Sequence, residues 1–115
     1  MLINEGLPAF IINQLKLSHN LKNTKIGILG MAFKANNDDP RDSLAYKLRK
    51  IALTECDNVF CHDVYIKDPN FHPMETVIKE SDIIILATPH KEYGLINTKR
   101  YPKKTFIDIW NFWNK

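Results

Sequence analysis

Cysteine is scarce in this 115-residue chain: only Cys56 and Cys61 occur, five positions apart. Two such residues make no secreted disulfide framework, and no four-ligand zinc pattern can be assembled around them, so both read as free thiols in a reducing compartment. Long apolar runs are missing as well. The longest, Ile83 to Ala87, is far too short to cross a bilayer, and no basic segment followed by a signal-like core opens the chain. No membrane association and a cytoplasmic location are therefore expected. Charge of one sign is not in excess either: the net charge is +3 and the basic residues are scattered. Only Lys99, Arg100, Lys103 and Lys104 cluster, around Tyr101 and Pro102, which reads as solvated surface rather than a nucleic-acid interface. His19, His62, His72 and His90 show no ligand-like spacing with cysteines or carboxylates, so no metal site is expected.

What is present is enough for one domain. A hydrophobic share of 44% and a charged share of 25% are ordinary for a globular protein, and a chain this long buries roughly 65% of its unfolded surface without needing staples. From Asn4 to Leu17, apolar residues at Leu7, Phe10, Ile11 and Leu15 follow helical spacing, with Pro8 tolerable in the first turn. After a polar stretch, Ile26 to Leu29 is a short apolar run closed by Gly30, the pattern of a buried strand. Leu44, Leu48, Ile51 and Ala52 mark one face of a second helix, with Asp39 placed to cap it, Pro40 at the first helical position and Asp42 in the first turn. A second strand is expected over Val59 to His62 and a third over Ile83 to Leu86. The sequence allows a short helix around Met74 to Lys79. A fourth strand, Thr105 to Ile109, leads to an aromatic tail with Trp110, Phe112 and Trp113. Strands alternating with helices predict an α/β fold: a three-layer Rossmann-like domain with a parallel sheet of about four strands, preceded by an N-terminal helix. Strand order is not legible. The two tryptophans, three apart, suit packing in a core or an interface.

In such a sheet, ligands bind beyond the carboxyl ends of the strands, which directs attention to the loop after Gly30. Met31 to Asp38 offers a cation, Lys34, an aromatic ring, Phe33, and two amides, Asn36 and Asn37, together suited to a phosphate and a polar ring. A dinucleotide fingerprint fails here: with Gly30 as the central glycine of G-x-G-x-x-G, the outer positions are Ile28 and Phe33. Asp63 follows the second strand, where a ribose-binding carboxylate sits in dinucleotide folds, but a lone acid there reads as a turn residue.

The stretch Gly27-Ile28-Leu29-Gly30-Met31-Ala32-Phe33-Lys34-Ala35-Asn36-Asn37-Asp38-Asp39-Pro40-Arg41-Asp42-Ser43 resembles G-x-L-G-x-A-F-K-x-N-T-D-D-x-R-E-S, the motif opening the C-terminal domain of the UDP-glucose/GDP-mannose dehydrogenase family, above all the UDP-glucose and UDP-N-acetylmannosamine enzymes. Asn4-Glu5-Gly6-Leu7-Pro8 and Ser81-Asp82 are similar to further family segments, so the resemblance covers nearly the whole chain.

The resemblance implies a nucleotide-sugar-binding domain over 23–115, with 1–22 the end of the family's inter-domain helix. In the full enzyme it implies an N-terminal NAD domain and double oxidation of carbon six of a UDP-sugar through a cysteine, in polysaccharide biosynthesis. Phe33 and Lys34 match positions lining the substrate pocket, and Asn36 and Arg41 match further motif positions, giving four expected substrate contacts. No catalytic residue, no bound NAD and no metal are expected in this chain itself, because the dinucleotide domain and the catalytic cysteine segment have no counterpart in it. The expected partners are a UDP-sugar, the N-terminal dehydrogenase domains in cis or in trans, and a second copy of the chain. The family has an arginine two positions past an aspartate at the last strand; here Asp108 is followed by Ile109 and Trp110, so that contact has no counterpart at the position. Asn37 stands where threonine is usual and Asp42 where glutamate is usual. A different class also fits the residues: a non-catalytic nucleotide-binding or protein-interaction module that keeps the fold without turnover.

Overall fold

The computed structural model of the chain describes residues 6–32, 44–56 and 58–109. Helix α1 (Gly6–Ser18) leads through a 3-10 turn (Leu21–Asn23) into strand β1 (Lys25–Leu29). Helix α2 (Leu44–Glu55), strand β2 (Asn58–His62), helix α3 (Met74–Glu80) and strand β3 (Ile83–Leu86) follow. Two more 3-10 turns, Lys91–Leu95 and Thr98–Arg100, precede strand β4 (Thr105–Asp108). Every expected helix and strand is found, and the ends of the strands move by one residue at most. The 3-10 turns were not legible, since a single turn carries no periodicity to read. The cap proposed from Asp39, Pro40 and Asp42 and the aromatic tail lie outside the described residues.

The four strands are all parallel in the order β2-β1-β3-β4, with Ile26 opposite both Val59 and Ile83, and Ile83 opposite Thr105. Strict alternation along the central strands sorts the core into two faces. Ile26, Ile28, Ile83 and Ile85 point toward Ile11, Ile12 and Leu15 of α1 and Ala45, Leu48 and Ala52 of α2. Leu29, Ile84 and Leu86 point the other way, toward Val77 and Ile78 of α3 and Tyr93. A sheet apolar on both faces must be covered on both, which is why β1 and β3 read as unbroken apolar runs. The α1–α2 layer and α3 supply the covers. No helix among the described residues is long and apolar enough to cross a membrane.

The direction in which the chain steps from strand to strand reverses at the centre of the sheet. From β1 the chain crosses through α2 to β2 on one side, and from β2 it crosses through α3, past β1, to β3 on the other. Parallel crossovers share one hand, so stepping in opposite directions puts α2 and α3 on opposite faces. The connections leaving β1 and β3 consequently run to opposite sides of the sheet, which makes the carboxyl edge between these strands the switch point, the crevice position at which open α/β sheets bind ligands.

Candidate functional site

Gly30 ends β1 at this switch point with φ +91°, in the left-handed region that only glycine enters freely. A Cβ there would also come within 2.5 Å of the Cβ and carbonyl oxygen of Thr88 in the loop after β3. Glycine is thus required twice, for its backbone angle and for the close approach of the two loops that border the crevice. Thr88 completes that approach by donating its hydroxyl to the Ala32 carbonyl at 2.7 Å.

Asp63, directly after β2, organises the edge. Its Oδ2 accepts the backbone N–H groups of Met31 at 2.6 Å and Ala32 at 3.0 Å, and lies 2.9 Å from Nε2 of His90. Its Oδ1 accepts the N–H groups of Tyr65 at 2.7 Å and Ile66 at 2.8 Å. The Oδ1 bonds are the turn expected of an acid at this position. The Oδ2 bonds reach 31 and 32 residues back along the chain and were not foreseen. Both side chains of the Asp63–His90 pair are fully withdrawn from solvent. Burial alone pushes the Asp63 carboxyl up, but the hydrogen bonds from His90 and from the Ile66, Met31 and Tyr65 amides outweigh it and bring it down to about 2. The group is therefore an anion at neutral pH, and His90 donates from Nε2.

Five donors occupy a carboxylate that offers about four lone-pair sites. Asp63 has nothing left for the ribose hydroxyls that an acid at this position holds in dinucleotide folds. With Ile28 in place of the first fingerprint glycine and Met31 fully buried beside Gly30, the described residues do not fit a dinucleotide.

Around the pair, Tyr93 is buried with its hydroxyl 2.9 Å from His62 Nδ1 and donating to the His62 carbonyl at 3.2 Å. Burial first, then the negative charge of Asp63, raises the Tyr93 hydroxyl far above its usual value, so it stays protonated. Burial lowers His62 against the pull of Asp63. Farther out, the Tyr65 hydroxyl donates to Glu92 at 2.9 Å, and the Tyr65 ring meets the edge of His90 at a centroid distance of 4.7 Å.

Phe33, Lys34, Asn36 and Arg41, the four substrate contacts expected from the sequence, all lie in residues 33–43, outside the described residues. The described structure gives the platform from which that segment departs, at Ala32 on the crevice, and to which it returns, at α2. Asp63 and His90 were each seen in the sequence without their joint role. Each stands just past the end of a parallel strand, and pairing them requires knowing that β2 and β3 flank β1. Neither cysteine is in a disulfide, both are buried, and burial pushes the Cys61 thiol up to about 11, so it remains protonated. Arg100 and Lys104 of the basic cluster border a cleft of about 590 Å³ with Met74, Ile78 and Leu95. A second cleft of about 570 Å³ lies at the C-terminal ends of α1 and α2. Neither involves Asp63, His90 or Ala32.

Residues 27–115 match the family model described as UDP-glucose/GDP-mannose dehydrogenase family, UDP binding domain. UDP-N-acetyl-D-mannosamine dehydrogenase of Pyrococcus horikoshii is 33% identical over 100 residues, covering 83% of this chain and 24% of that protein. The corresponding enzyme of Methanocaldococcus jannaschii is 29% identical over 93 residues, covering 79% of this chain and 22% of that protein. The solved Pyrococcus horikoshii structure superposes with a TM-score of 0.75 at 30% identity, over 90% of this chain and 26% of that one. A UDP-N-acetyl-mannosamine dehydrogenase from Staphylococcus aureus shares the fold at a TM-score of 0.82 and 21% identity, over 98% of this chain and 29% of that one. The chain spans about a quarter of the length of these relatives. A match over residues 27–115 that begins inside β1, runs through the Gly30 crevice and takes in Asp63 and His90 shows that the chain belongs to the UDP-glucose/GDP-mannose dehydrogenase family as its UDP-binding domain.

Proposed function

We propose that this chain supplies the nucleotide-sugar side of the pocket of a UDP-sugar 6-dehydrogenase, and that NAD and the nucleophilic cysteine of that reaction are held by segments outside these 115 residues, in cis or in trans. The observation that carries the reading is where the matched motif falls. Gly30 to Ala32, the described part of the motif, lie at the switch point of the sheet, the edge at which ligands of such sheets bind. In this reading Lys34 is an electrostatic clamp on the diphosphate, Phe33 shapes the pocket, and Asn36 and Arg41 add polar contacts. Residues 23–115 form the binding domain, and 1–22 continue toward the rest of the enzyme. The engaged Asp63 and the incomplete fingerprint support placing NAD elsewhere, and the buried, protonated Cys61 supports placing the nucleophile elsewhere.

Calorimetric titration of the chain with UDP, UDP-sugars and NAD tests this. UDP and at least one UDP-sugar bind, NAD does not, and Lys34→Ala weakens UDP by about tenfold or more, as expected for a lost charge-assisted contact to phosphate. NAD binding without UDP binding refutes the reading. A second reading, an interaction module without turnover, is favoured by Phe10 (58% exposed) and Leu17 (81% exposed), seven apart on α1, with Leu53 half in water on α2. Dehydrogenase domains or a second copy of the chain would cover this surface, and absence of any nucleotide binding would favour this reading.

A further inference from the structure

Asp63 leaves β2 and His90 leaves the loop after β3, while β1 lies between those strands. Their 2.9 Å contact therefore passes over the end of β1, and the same Oδ2 takes the Met31 and Ala32 amides as the chain emerges beneath it. Ala32 is held on both sides, its N–H by Asp63 and its carbonyl by Thr88. One buried oxygen thus joins the loops of three strands at the mouth of the crevice.

Such a pair is a poor choice for stability alone. Withdrawing a carboxylate and an imidazole from water costs much of what their attraction returns, and apolar side chains of equal volume often serve the fold as well. What the pair does and an apolar pair would not is hold two specific amides at a fixed place and direction. We propose that Asp63 and His90 are a positioning pair for the nucleotide-sugar site, setting the angle at which the chain leaves β1 and thereby the affinity for the UDP moiety; this rests on the reading given under Proposed function. Neither side chain touches the ligand, because neither reaches solvent.

The test compares the chain with its His90→Phe and Asp63→Asn variants, and with Leu48→Ala, which loosens the α2 face of the core without touching the clasp. UDP affinity is measured by calorimetry, and amide exchange of assigned residues by NMR. In His90→Phe the β1 and β3 amides stay slow, those of Met31 and Ala32 exchange at least about tenfold faster, and UDP weakens by about tenfold, the scale of one lost hydrogen bond to a charged group. Leu48→Ala, despite its lower melting temperature, keeps UDP affinity within about twofold, less than one such bond is worth. Unchanged exchange at Met31 and Ala32, faster exchange with UDP affinity intact, or an equal loss of affinity in Leu48→Ala overturns the proposal. If the unaltered chain takes up no UDP, the functional reading fails while exchange still decides the clasp. Acceleration confined to Met31 and Ala32 then supports it, and uniform acceleration across the sheet overturns it. Should Asp63→Asn not fold, His90→Phe carries the test.

Discussion

At the carboxyl edge of the sheet an aspartate, a histidine, a threonine and a tyrosine are withdrawn from water, whereas at the amino edge, where Ser81 is buried, the acid that ties two strands keeps contact with it. There, exposed Asp82 accepts the Lys25 N–H at 3.0 Å and returns its own N–H to the Lys25 carbonyl at 2.8 Å. Both edges use an acid just outside a strand to hold the backbone of a neighbouring strand. They differ in what is lost when the acid is removed. Water replaces a lost bond at Asp82, and nothing replaces one at Asp63. The edge that carries the crevice is thus rigid in its polar groups, and the opposite edge is replaceable.

The sharpest way to break the comparison is to delete both acids. Asp63→Ala leaves His90 and four amides facing an apolar hole and is expected to cost about 3–5 kcal/mol of unfolding free energy. Asp82→Ala removes one exposed bond and is expected to cost about 1 kcal/mol. Urea denaturation of the two variants against the parent measures both, and equal losses would show that the edges do not differ.

Acid sharpens it next. The Asp63 carboxyl is held at about 2 in the fold, against about 3.9 in an unfolded chain. A depressed carboxyl stabilises the fold above its unfolded value and ceases to do so as pH falls through its folded one. Its contribution, about 2–3 kcal/mol, is therefore complete above about pH 4 and disappears between about pH 4 and pH 2. The stability curve of the parent drops across that window. In Asp63→Asn the corresponding part of the drop is missing, which denaturation at a series of pH values detects.

The contrast also marks how far the sequence could be read. Apolar runs at Ile26 to Leu29 and Ile83 to Leu86, and helical spacing through Phe10, Ile11 and Leu15, announce elements made by local pattern, and all of them formed where expected. The loop motif after Gly30 was legible by resemblance, and the closeness of Gly30 to Thr88, 58 positions on, was not. Asp63 was read as a turn residue, which its Oδ1 is. Its other oxygen serves residues a strand and a helix away. A contact between loops of β2 and β3 over β1 depends on strand order, and strand order is set by crossovers whose direction no local pattern records.

The smallest expected effect lies on the amino side, at Lys104. Its ammonium donates to the carbonyls of Lys79 at 2.8 Å and Ser81 at 2.7 Å, at the C-terminal end of α3. Those carbonyls have no partner further along the helix, and their partial negative charge favours a cation. Lys104→Met keeps the apolar stem and removes the charge, so the loss isolates the capping term, about 0.3–1 kcal/mol. Because Lys104 and the Lys79 carbonyl keep contact with solvent, salt screens the interaction. The difference in melting temperature between parent and Lys104→Met should shrink when sodium chloride is raised from low to high concentration, while that between parent and Asp63→Asn should not. A Lys104→Met difference that ignores salt would mean that this edge, too, holds its polar groups out of reach of water.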